Sequence, residues 1–185
     1  MAWKNQPRRI LNASLRASIQ ALLRLGASIY FMASSLGCYS FTGAALPPHI
    51  KTIAIPIFND ESRSGVPNLR ERLTQELTQR VQTQSPLIIE QSRTQANSII
   101  EAVVTAYSDV PSVIGGQTER ATQNRITIRV SATYRDLVKK KILFKQDFNG
   151  VQDYPIGNFQ AQQQAIARAI TTIADDMLNR ILSGW

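Results

Sequence analysis

Residues 124–135, NRITIRVSATYR, alternate apolar and polar with a period of two. Ile126, Ile128, Val130, Ala132 and Tyr134 fall on one side, and Arg125, Thr127, Arg129, Ser131, Thr133 and Arg135 on the other. That period calls for a strand with one buried and one wet face, hence for an antiparallel sheet covered on a single side. The stretch ILFKQDFNG at 142–150 supplies a partner across a turn near Leu137 to Lys141.

The apolar side needs a cover, and two stretches have the spacing to provide it. Leu69, Leu73, Leu77 and Val81 recur every four residues from a start near Pro67 or Asn68. This is the narrow stripe of an amphipathic helix, with Glu76 and Arg80 as an i, i+4 ion pair on its wet side. Ile166, Ile170, Ile173, Met177 and Ile181 make a second such helix, running nearly to Trp185. In IKTIAIPIF, residues 50–58, Ile53, Ile55 and Ile57 share one face, and Pro56, which has no N–H for a ladder, predicts an edge or a bulge. PLIIEQ at 86–91 and the β-branched run NSIIEAVVTAYSDV at 97–110 read as further strands. The segment from Asp109 to Asn124 reads as a connection longer than an ordinary hairpin loop of about 2–5 residues. It holds VIGGQ at 113–117, a flexible loop without the continuation of a phosphate-binding motif. The fold class expected is therefore α+β, two helices packed on one face of a roughly four-stranded sheet, in the order β-α-β-β-β-α.

The N-terminal quarter has a different character. Lys4, Arg8, Arg9, Arg16 and Arg24 occur with no acidic residue, and the uncharged run LGASIYFMASSLG follows at 25–37. A basic region, a short apolar region and small residues, in that order, describe a secretory signal. The run is too short to span a bilayer, which takes about 20 apolar residues. The one cysteine of the chain, Cys38, stands directly after it. The stretch Ser35, Leu36, Gly37 and Cys38 resembles the lipobox of a bacterial lipoprotein, in which the cysteine is acylated and becomes the new N-terminus. The implied division is a removed signal at 1–37, a lipidated N-terminus and tether at 38–49 containing Pro47 and Pro48, and a domain at 50–185. One acyl chain binds a membrane only marginally, whereas the three chains of a lipoprotein cysteine make an effectively permanent anchor.

Removing the signal changes the charge argument. The whole chain carries 21 basic and 13 acidic residues, a net +8 that would by itself suggest nucleic acid. Five basic residues precede Cys38 and all 13 acidic ones follow it, so the mature part keeps only a mild positive charge and no nucleic-acid partner is expected. Catalytic groups are equally sparse. His49 is the single histidine, so neither a Ser-His-Asp arrangement nor a metal site can be assembled around it with one cysteine. Asn59 to Glu61 and the pair Asp175 and Asp176 are the main acidic groupings, and neither has histidine or cysteine neighbours. No enzyme activity, cofactor or metal is expected.

From Cys38 to Trp185 the chain resembles the LptE family of lipopolysaccharide-export lipoproteins. The resemblance rests on GCYSFTG, a short proline-containing arm, IKTIAIPIFND, the long strand ending in Tyr107 and Ser108, NRITIRV, DFNG and the terminal LSGW. It implies helices packed on a mixed four-stranded sheet, an outer-membrane location, and a role as plug and assembly partner inside the LptD β-barrel during passage of lipopolysaccharide to the cell surface. The domain would face the periplasm and the barrel lumen, and Tyr39, not being an aspartate, gives no inner-membrane retention signal.

Three candidate sites follow. Cys38 is the acylation site. Lys139, Lys140 and Lys141 at the turn, with Arg125 and Arg129 on the wet strand face, are the candidates for binding the phosphates of lipopolysaccharide. Val113 and Ile114 are the candidates for contact with the barrel wall. From the residues alone two other classes stay open: a lipid-anchored structural lipoprotein that binds protein or cell-wall partners and never touches lipopolysaccharide, and a lipid-anchored enzyme.

Overall fold

The computed structural model describes residues 46–115 and 120–183, with the side chains of 113–121 left aside. Cys38, the signal-like stretch, and the aromatic residues Tyr39 and Phe41 of the tether therefore lie outside the described residues. The elements in chain order are β1 (Thr52–Ala54), β2 (Asn59–Asp60), α1 (Leu69–Gln84), β3 (Ile88–Ile89), β4 (Ser98–Gly115), β5 (Arg120–Asp136), β6 (Lys141–Pro155) and α2 (Phe159–Ser183). The sheet runs β3-β1-β4-β5-β6, with β2 also paired to β4. β1, β2, β3 and β4 are parallel where they pair, and β4, β5 and β6 form an antiparallel meander, so the sheet is mixed. This is the α+β architecture expected, with six strands in place of roughly four: all five stretches read as strands join the sheet, and the first of them is split in two. Pro56 causes the split: the ladder stops at Ala54 and resumes at Asn59, leaving Ile53 fully buried and Ile57 64% exposed.

From Arg125 to Arg135 the alternation of β5 is realised without exception. Ile126, Ile128, Val130, Ala132 and Tyr134 have no exposed surface, while Arg125 and Arg129 are exposed on the other side. Both helices cover that apolar face. α1 buries Leu69, Leu73, Leu77 and Val81, and α2 buries Ile166, Ile170, Ile173, Met177 and Ile181 together with Ala165, Ala169 and Ala174. Each large aliphatic side chain taken from water contributes about 1.5–3 kcal/mol, so these two stripes and the β5 row are the main stabilising layer. The alanines let α2 approach β6 closely. At the end of DFNG, a Cβ on Gly150 would lie 2.4 Å from the carbonyl oxygen of Ala169, so glycine is what the contact tolerates.

Two details depart from the sequence reading. Glu76 and Arg80 do pair at 3.0 Å, but between the helices rather than in open water, because Arg80 also meets Asp175 at 3.2 Å and Thr171 donates to Glu76 at 3.2 Å. The segment 109–124 is no long loop. β4 and β5 stay paired out to Gly115 and Arg120, with Val113 opposite Gln123 and Ile114 opposite Ala121. Irregularities between Val104 and Ala106 and around Val113 interrupt the alternation there, which hides the strand from a period-two reading.

Candidate functional site

The face of the sheet away from the helices is charged, and the register shows how its charges are used. Arg125 of β5 lies beside Asp153 of β6, and its guanidinium donates to both carboxylate oxygens, at 2.8 and 2.9 Å. These hydrogen bonds hold Asp153 below the usual carboxylate range and raise Arg125 above its own. Arg129 donates to the amide oxygen of Asn149 at 3.2 Å and makes no ion pair among the described residues. Further along the same face Glu101 of β4 accepts from Arg135 of β5 and from Arg93, the latter at 3.3 Å. They line a shallow groove of about 550 Å³ together with Glu61, Thr133 and Lys145. Next to it, the loop before β4 covers part of this face with a small apolar cluster of Ala54, Ala96 and Ile99, so the open face is wet along most of its length but not all of it.

The lysine turn is a separate feature at one end of the sheet. Lys139, Lys140 and Lys141 are all exposed, and Lys140 adopts a left-handed conformation with φ 52°. The turn is built on Asp136, which is 2% exposed. One carboxylate oxygen accepts the backbone N–H groups of Val138 and Lys139, both at 2.9 Å, and the other lies 2.6 Å from His49 Nε2. Burial alone would raise the Asp136 pKa, but the Lys139 N–H, His49 and the Val138 N–H outweigh it and hold the carboxyl below its ordinary value. Periodicity could not find this pairing, since 87 residues separate its partners. The sequence signal available was only that one histidine and one aspartate stand at the borders of predicted elements.

The five cations assigned to lipopolysaccharide are thus not one cluster. Arg125 stands eleven strand residues before Asp136, roughly 35 Å at about 3.3 Å per residue, and is already paired. The backbones of Val113 and Ile114 sit at the opposite end of the β4–β5 hairpin, and their side chains lie outside the described residues. Near that end a polar network ties four elements together. Asp109 of β4 accepts from the Tyr154 hydroxyl at 2.6 Å, from Gln162 at 2.8 Å and from Asn124 at 3.1 Å. Burial, with the Asp109 charge adding to it, pushes the neighbouring Tyr107 hydroxyl up to about 12. Among the described residues no group of three or more histidine, cysteine, aspartate or glutamate side chains is placed to hold a metal ion. No helix among them is long and apolar enough to cross a membrane.

Two helices on one face of a mixed sheet, with the other face open and charged, define a two-layer α+β domain. The chain belongs to the LptE family, described as lipopolysaccharide assembly, which it matches over residues 50–181. Among solved structures it is similar to the rare lipoprotein B of Shewanella oneidensis, with 10% identity and a TM-score of 0.51 over 70% of this chain and 92% of that one. It is also similar to an uncharacterized lipoprotein B of Nitrosomonas europaea, with 12% identity and a TM-score of 0.51 over 76% and 90%. At such identities these likenesses speak for the fold alone. No curated protein matches the chain.

Proposed function

We propose that this protein is a non-catalytic outer-membrane lipoprotein, anchored through acylated Cys38, that sits as plug and assembly partner within an LptD-type β-barrel and assists the passage of lipopolysaccharide. The observation that carries the reading is the family match across the domain, residues 50–181. The architecture supports it: a preceding segment with the order of a lipoprotein signal leads into a domain whose charged sheet face is left uncovered. Lipopolysaccharide phosphates are the anions proposed for that face. Arg129 is the described arginine there that no carboxylate engages, while Arg125 must exchange Asp153 for a phosphate. Lys139, Lys140 and Lys141 form a second, separate contact for the phosphates of lipopolysaccharide.

The test is isolation of the native lipoprotein from membranes with identification of the proteins bound to it. A large outer-membrane β-barrel is expected, and photocrosslinkers at Val113 or Ile114 should capture the same barrel in cells. A Cys38→Ala chain should leave the membrane fraction. Recovery of periplasmic or cell-wall partners alone would overturn the plug role and favour a structural lipoprotein.

A further inference from the structure

β6 closes one side of the sheet, and among the described residues no strand lies along its outer edge. From Phe144 to Pro155 its pairing with β5 has no irregularity, which leaves about 40 Å of regular backbone whose outward N–H and C=O groups have no strand to bond. The other free edges of the sheet are blunted. β3, on the opposite side, has two residues, and β4 from Val104 onward carries three irregularities and Pro111, which has no N–H. An edge as long and regular as that of β6 is a template for one more strand.

The side chains beside this edge say what kind of strand it takes. Gln146 and Gln152 lie on the helix side of β6, and their amide oxygens accept from two arginines of α2, Arg180 at 3.0 Å and Arg168 at 3.4 Å. Neither arginine makes an ion pair among the described residues, whereas Arg80, Arg93, Arg125 and Arg135 each engage a carboxylate. The two glutamines stand six strand residues apart, so the arginines set two positive charges roughly 20 Å apart along the rim. On the open side Lys145 adds a third exposed cation, with Asp147 next to it. Carboxylates about six residues apart on one side of an added strand match Arg168 and Arg180. A second copy of the chain does not fit. α2 sits directly on β6 at Gly150 and Ala169, and paired strands are about 4.8 Å apart whereas packed helices need about 8–10 Å, so two copies joined edge to edge would bring their α2 helices into collision. The edge has room for one strand without a helix on that side.

Resting on the reading of this protein as a plug within a β-barrel, we infer that the outer edge of β6 receives an extended acidic segment of the barrel partner as a further strand, with two of its carboxylates on Arg168 and Arg180. Barrel strands are closed against one another, so the segment is one that folds into the lumen. The hairpin tip with Val113 and Ile114 lies at an end of the sheet and the edge of β6 along its side, so the two contacts do not compete.

Amide hydrogen exchange tests this, comparing the lipoprotein–barrel complex isolated from membranes with the full acylated lipoprotein alone. Every second amide between Phe144 and Tyr154 faces away from β5 and should exchange quickly in the lipoprotein alone. In the complex these amides should slow by about a hundredfold or more, while those bonded to β5 stay as they were. Arg168→Glu combined with Arg180→Glu breaks no ion pair of the described domain and should lower recovery of the barrel roughly tenfold, with the thermal midpoint of the lipoprotein unchanged. Arg180 also stacks on the Phe144 ring at 5.1 Å, so Arg168→Glu alone serves as a milder variant of the same sign if the double change lowers the midpoint. A photocrosslinker at Lys145 should capture a barrel segment that carries Asp or Glu. A barrel that co-purifies while the outward amides exchange as in the lipoprotein alone overturns the added strand and leaves the plug reading standing. Indifference of barrel recovery to both arginine variants, or capture of a segment without acidic side chains, overturns the acidic strand as well. Protection of the outward amides in the lipoprotein alone, growing with its concentration, overturns it in favour of a second copy. Recovery of no barrel overturns the plug reading, and the added strand with it.

Discussion

Asp136 shows how much one buried carboxylate can organise. It closes the turn after β5, accepts two backbone N–H groups and binds His49, so a strand end, a turn and the start of the domain share one side chain. Its pKa is lowered in the folded state from an ordinary value near 3.8. A carboxyl with a depressed folded pKa adds stability above the unfolded value, and that contribution disappears as the pH falls from about 3.8 through the lower folded value. Asp136→Asn should therefore cost about 1–3 kcal/mol at neutral pH and flatten the acid limb of the stability curve, as measured by urea unfolding at pH 7 and pH 3. Equal acid sensitivity in the variant and the parent would show that the contact does not set the acid limb. Neither Asp136 nor His49 carried a recognisable signature in the sequence, because a hydrogen bond across 87 residues leaves no local pattern.

At the level of elements, the helices and the β5 strand were legible because each presents one apolar face at a fixed period, and burying that face is what forms it. The contact of α2 with β6 was less so. DFNG is visible as a motif, but only the packed helix shows that Gly150 lies where any Cβ would strike the Ala169 carbonyl. Gly150→Ala should separate α2 from the sheet and destabilise the domain by about 1–3 kcal/mol, seen as a lower thermal midpoint with faster amide exchange along α2. An unchanged midpoint would mean that helix and strand can part without cost. The outer half of the β4–β5 hairpin was missed altogether. Bulges shift its alternation, and two adjacent glycines in the sequence read locally as a loop, whereas the opposing strand keeps the backbone of β4 paired out to Gly115.

For the whole molecule, the two ends of the sheet are fastened by different means. Asp136 and His49 secure the lysine end, and the Asp109 network joins β4, β5, β6 and α2 toward the other. Tyr154→Phe removes the hydroxyl that donates to Asp109 and accepts from Asn124, and should cost about 1–2 kcal/mol. Amide exchange should quicken in the first turn of α2 and in the outer hairpin while the lysine end stays protected; uniform quickening would mean that the two ends are not separately held. By itself, the sequence determined the layer architecture, the buried row of β5 and the two covering helices, since hydrophobic periodicity specifies which face each element must hide. It also carried the resemblance to the LptE family in its short motifs. Tertiary structure alone decided which charges remain free, because Arg125 and Asp153 become partners only when strand register sets them side by side. It likewise decided that the lysine turn and the start of the domain share one end of the sheet, because that proximity depends on strand order and direction, which no local pattern of residues encodes.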